Sequence, residues 1–198
     1  MLTFDPSTHE YRDDGAIVPH VTQVIDGLVD FSGIPESVMA ATRDRGQAVH
    51  LLTEYHDRGE LDEESLPEEL RGFHAAYVRF LHESGFSPTA IEQIVYSEKY
   101  RYAGKLDRIG TMKSRGREVV ALVDIKAVSS VAAAVGPQTA AYQQAAAETG
   151  IRNISARYAL QLRGDGTYKL HECADRSDLS VFLAALTVAN WRSKHVRD

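Results

Sequence analysis

Apolar positions recur with two different periods along the chain. Residues 2–18 alternate as short strands with a turn at Asp13-Asp14-Gly15, and Pro19 closes them. Residues 21–30, VTQVIDGLVD, read as a short helix. Pro35 suits the first turn of a helix, where no N–H is needed, and predicts one over 35–58 ending near Gly59. The acidic run GELDEESLPEEL is a surface connection. Leu70, Phe73, Tyr77, Phe80 and Leu81 then return at helical spacing, which predicts a helix over 67–83 stopped by Gly85. Beyond it the period shortens. Residues 89–97, 101–112 and 117–126 read as strands rich in Val, Ile and Tyr. A helix follows over 136–149, then strands at 154–162 and 167–172 around Gly164-Asp165-Gly166, and a closing helix over 177–194. No internal repeat interrupts this order. It predicts an α/β or α+β fold, a mixed central β-sheet flanked by helices.

Composition bounds the function classes. The chain has 198 residues, enough for one domain spanning 1–198, with 1–34 as its N-terminal strands and short helix and 35–198 as its core. The single cysteine, Cys173, excludes an internal disulfide, a four-cysteine zinc site and an iron–sulfur cluster held by this chain alone. No apolar run is long enough for a membrane helix, and the first residues lack the basic start and apolar stretch of a secretory signal. The expectation is a cytoplasmic protein with no membrane partner.

The net charge of −6 argues against a nucleic-acid partner until its distribution is read. Residues 1–70 hold 16 Asp/Glu against 4 Lys/Arg, a balance of −12, so the remainder carries +6. Lys99, Arg101, Lys105, Arg108, Lys113, Arg115 and Arg117 cluster within 99–117 against only Asp107. Such a stretch fits a phosphate backbone, and equally a solvated hairpin with charged edges.

Ser114-Arg115-Gly116-Arg117 is a turn between two of these strands. Asp107 and Asp124 each stand eight residues from its centre, so they oppose each other across an antiparallel ladder, their Cβ atoms about 5 Å apart. Two carboxylates so placed repel unless a divalent cation lies between them. Residues 119–123 are apolar on both faces, the pattern of a covered central strand, and Asp124 and Lys126 interrupt it on one face. Burying these charges is costly unless they pair with each other or bind something. On the helix over 35–58, Gly46 and His50 share a face, with Arg43, Arg45 and Gln47 nearby; His50 is a stronger ligand candidate than His56, His74 or His82. Gly46 lets a backbone or ligand approach. Gln138 and Tyr142 share a face of an alanine-rich helix, as a packing pair or as site residues.

Taken in order, Arg45-Gly46…His50, Gly104…Asp107, Asp124-Ile125-Lys126 and Gln138…Tyr142 resemble the motifs of the PD-(D/E)XK nuclease superfamily, more narrowly its RecB-type exonuclease branch. The likeness covers roughly 45–142, and VPHVTQVI at 18–25 is similar to a VPSVT-type start, with His20 where Ser is usual. The resemblance implies a restriction-endonuclease-like core and hydrolysis of DNA phosphodiesters, by an exonuclease serving replication, recombination, repair or phage DNA processing. It implies one or two Mg²⁺ or Mn²⁺ ions on His50, Asp107, Asp124 and the Ile125 carbonyl, and no iron–sulfur cluster. Lys126 would orient or deprotonate a water, its pKa falling beside the cations. Gln138 and Tyr142 would hold the strand or support Lys126. Arg45, Lys105 and Arg108 would contact phosphates, and partners would be DNA and a homo-oligomer or a recombination or replication protein. Two other readings use the same residues: a non-catalytic nucleic-acid-binding or assembly protein, and a small-molecule enzyme with an Asp–Lys site.

Overall fold

Chain order decides the topology, because the strands follow one another as hairpins except where an alanine-rich helix intervenes. The computed structural model describes residues 1–30 and 32–196; Phe31, Arg197 and Asp198 lie outside the described residues. Strands β1 (Leu2–Asp5), β2 (Glu10–Asp13) and β3 (Ala16–Val18) form a small antiparallel sheet. Helices α1 (Val21–Asp26), α2 (Glu36–Arg58) and α3 (Glu68–Ser84) follow. Pro35 and Pro67 precede α2 and α3, and Gly59 and Gly85 end them in the left-handed conformation that glycine adopts without strain. Helix α1 stops four residues short of the expected 30, with Gly27 as its C-cap.

The five-stranded sheet has the order β4 (Ser87–Ser97), β5 (Tyr102–Ser114), β6 (Arg117–Lys126), β7 (Ile154–Leu162), β8 (Tyr168–Glu172). Only β6 and β7 are parallel, and α4 (Val135–Glu148) makes the crossover between them. Helix α5 (Asp178–His195) closes the chain. The fold is a mixed sheet flanked by helices, an α+β core.

Both faces of β6 are covered. Leu122 packs with α1, α4 and α5 through Val21, Ala141, Ala145, Phe182 and Leu186. Ala121, Val123 and Ile125 pack with α2 and α3 through Val49, Leu52, Phe73, Tyr77 and Phe80. The continuous apolar run of β6 follows from that double burial. Among the described residues, no helix is long and apolar enough to cross a membrane.

Candidate metal centre

The turn between β5 and β6 is the two-residue loop Arg115-Gly116, with φ of 51° and 76°. Positive φ at both positions matches the twist of a tight hairpin and fixes its register. Arg108 pairs with Val123, so the next residue, Asp107, stands level with Asp124, as the turn position predicts. On the other side, Glu92 falls between the rungs Ile91↔Arg108 and Gln93↔Leu106 and is level with Asp107 too. Three adjacent strands thus bring an acid to one level. The sequence reading missed Glu92, although the same arithmetic applied to the β4–β5 hairpin finds it. Its φ of 50° is unusual for a non-glycine residue inside a strand.

Helix α2 completes the cluster. His50 Nδ1 lies 3.5 Å from Asp107 Oδ1 and 3.9 Å from Glu92 Oε1. His50, Glu92 and Asp107 each offer one ligand atom, and these atoms all lie within 4.8 Å of one another. Asp107 Oδ2 accepts a hydrogen bond from the Ile125 backbone N–H at 2.6 Å. Asp124 is buried, and among the described residues its one charged neighbour at contact distance is Lys126. Lys126 Nζ makes an ion contact with Asp124 Oδ2 at 2.8 Å, so the Asp–Lys pair allowed by their spacing is formed.

The charges are finely opposed. Burial raises the Asp107 carboxyl most; His50 draws it back, and Asp124 and Glu92 push it up again, to about 6. Burial works against the charge on Glu92 too, but His50 and Lys105 outweigh it and hold that carboxyl at about 2. Burial disfavours the Lys126 ammonium, yet Asp124 and Asp107 more than compensate, and its pKa is raised. The fall expected for Lys126 is therefore not what its present neighbours produce. His50 is raised in the same way: burial is the largest influence and lowers it, but Asp107 and Glu92 together outweigh it.

Gln138 and Tyr142 are both buried, and Gln138 Nε2 donates to the Tyr142 hydroxyl at 3.4 Å. Gln138 has no hydrogen bond to Lys126 among the described residues. Burial first, then Asp124, raises the Tyr142 phenol well above its ordinary value. The Tyr142 ring lies on Gly104: a Cβ there would stand 2.6 Å from Tyr142 Cε1 and 3.0 Å from Val21 Cγ2. Gly46 differs, since no described atom lies within 4 Å of where its Cβ would be. His20 takes the N-cap of α1, its Nδ1 accepting from the Gln23 N–H, a role that serine also fills. A second residue missed from the sequence is Tyr11, fully buried with an unpartnered hydroxyl; burial and then Glu92 push its phenol up to about 12.

The phosphate-contact set needs correction. Arg108 is fully buried, its guanidinium bonded to Asp57 Oδ2 at 2.5 Å, Glu92 Oε1 at 2.8 Å and Thr53 Oγ1 at 3.1 Å. A side chain so enclosed cannot reach a phosphate. Arg45 remains exposed, with Nε donating to the Ala127 carbonyl at 3.1 Å. Lys105 is partly exposed and reaches Glu92 Oε2 at 2.8 Å. The basic stretch is not one surface either: Arg101 pairs with Asp13 and Arg115 with Glu172.

The donor set of imidazole and carboxylates could hold a metal ion. Asp124, buried and paired with Lys126, lies outside this set of three but close enough to raise the Asp107 carboxyl. No protein-family model matches the chain, and no curated protein is significantly similar to it.

Proposed function

We propose that the protein is a divalent-metal-dependent deoxyribonuclease of the PD-(D/E)XK type, acting as an exonuclease of the RecB-like branch. The observation that carries this reading is Asp124. It is buried, close enough to Asp107 to raise that carboxyl's pKa, and paired with Lys126 at 2.8 Å. A stable core gains nothing from two level carboxylates, whereas a metal centre needs them. His50, Asp107 and Glu92, whose ligand atoms lie within 4.8 Å of one another, would hold the ion, and Asp124, which lies outside that group and is paired with Lys126, and the Ile125 carbonyl would join them. A bound divalent cation supplies a Lewis acid that lowers the pKa of a water and offsets charge on a phosphate.

The chain's own groups do the rest. Lys126, protonated and paired with Asp124, neutralises an incoming phosphate or orients the attacking water through its N–H donors. The Ile125 N–H fixes the Asp107 carboxylate. Gln138 holds the Tyr142 hydroxyl, and Gly104 admits the Tyr142 ring, so α4 keeps a set distance from the acids. Arg45 and Lys105 border the site as phosphate contacts.

The test is digestion of end-labelled single- and double-stranded DNA. Degradation is expected with Mg²⁺ or Mn²⁺ and none with EDTA, and Asp124→Asn should lower turnover by at least about a thousandfold. DNA binding without degradation in either metal would instead support a non-catalytic binding protein.

A further inference from the structure

Helix α2 carries a second histidine into a different cluster. His56 follows His50 by six residues, about 9 Å along the helix axis. It lies in the last turn of α2, and His74 faces it from α3. His56 Nδ1 and His74 Nε2 are 3.0 Å apart. Glu63, in the connection between the two helices, brings a carboxylate oxygen to them, and the three donor atoms all lie within 4.8 Å of one another. Ligands of a tetrahedral ion with bonds near 2.0–2.1 Å are about 3.3 Å apart. The nitrogens already stand near that spacing, and Glu63, exposed on its loop, has only to close in.

We propose that His56, Glu63 and His74 form a second divalent-metal site, of the Zn²⁺ class, which clips the acidic connection to α2 and α3. A hydrogen bond between the two rings accounts for their contact but not for the carboxylate converging on the same point. Two imidazoles and one carboxylate suit Zn²⁺, while the first centre is dominated by harder oxygen donors. Three protein ligands leave one position for water. The connection also holds Glu60, Asp62 and Glu64, whose mutual repulsion a bound cation relieves. The site does not depend on the nuclease reading.

The experiment is Zn²⁺ titration of the metal-free full chain by calorimetry, with Co²⁺ as an optical probe of tetrahedral coordination. It is run in an Asp107→Asn background, which weakens the first centre. That protein should still bind one Zn²⁺, show visible Co²⁺ bands and melt at a higher temperature with Zn²⁺. Adding Glu63→Gln should weaken binding by more than the roughly 10–100-fold typical of outer-shell partners. Adding His74→Gln should abolish both the binding and the bands. If His74→Gln does not fold, Glu63→Gln decides alone, because that side chain is exposed. Absence of micromolar Zn²⁺ binding in the Asp107→Asn protein, or binding unchanged by Glu63→Gln, would overturn the site.

Discussion

Asp107 is held in a conflict that folding imposes and a cation resolves. Its folded pKa of about 6 lies above the ordinary carboxylate value, so the fold favours its protonated form. That stabilisation is complete below about pH 4 and is lost as pH rises through about 6. Glu92 behaves oppositely: held at about 2, its contribution is complete above its unfolded pKa and is lost only as pH falls toward 2. Between pH 4 and 6 His20, which burial holds down at about 4, titrates in the opposite sense, so Asp107 is read from the difference between the parent and Asp107→Asn. In EDTA the melting temperature of Asp107→Asn relative to the parent should rise from pH 4 to pH 6. At pH 7 the metal-free variant should be more stable by about 1–3 kcal/mol. A difference between Asp107→Asn and the parent that does not change from pH 4 to 6 would show that Asp107 is not under this strain. Metal should reverse the order, since it binds only the ionised carboxylate. Asp107, Asp124 and Lys126 were legible because a tight turn and a two-residue period fix their positions. Glu92 was legible only to the register arithmetic of the β4–β5 hairpin, and Tyr11 not at all, since no pattern announces a left-handed φ or an unpartnered hydroxyl.

Elements meet at this centre through one buried side chain. Arg108 on β5 ties α2 to the sheet by Asp57 and Thr53, and β4 to β5 by Glu92. Asp57 also accepts from the Tyr77 hydroxyl of α3 at 2.8 Å, so three elements share one carboxylate. Arg108→Ala leaves Asp57 buried without its cation and Glu92 with Lys105 and His50 alone, which should cost about 3–5 kcal/mol. In a chain of this size that corresponds to a melting temperature about 10 °C lower. Lys113→Ala, on the exposed part of the same strand, should change stability by no more than about 0.5 kcal/mol. Urea denaturation of both variants checks this; equal midpoints would mean that the buried network contributes little. The elements themselves were legible to within two residues nearly everywhere, because proline and glycine mark their ends chemically. The burial of Arg108 was not, since a strand arginine reads as charge on an edge until the carboxylate of another element is known to meet it.

Across the whole molecule the charge separation seen along the chain largely cancels. The acidic N-terminal third supplies Asp13 to Arg101 and Asp57 to Arg108, so much of the basic stretch is answered by the acids that precede it. What remains for an anionic ligand near the metal centre is small: Arg45 at the rim, Lys105 half held by Glu92, and Lys126 within. Lys113 and Arg117 lie toward the far end of the hairpin, about 20 Å along β5 from Asp107 at the rise of an extended strand. DNA binding, measured with Ca²⁺ in place of the catalytic cation, should therefore be modest and should weaken with salt through few contacts. The slope of log K against log salt is about −0.7 per contact for single strands and −0.9 for duplex. Arg45→Ala with Lys105→Ala should flatten it by about one to two units. Lys113→Ala with Arg117→Ala should leave it unchanged, because a strand seated on the metal centre passes out of reach of that turn. The reverse result would move the nucleic-acid path to the Arg115-Gly116 end of the sheet, away from the acids, and would separate binding from the chemistry proposed here.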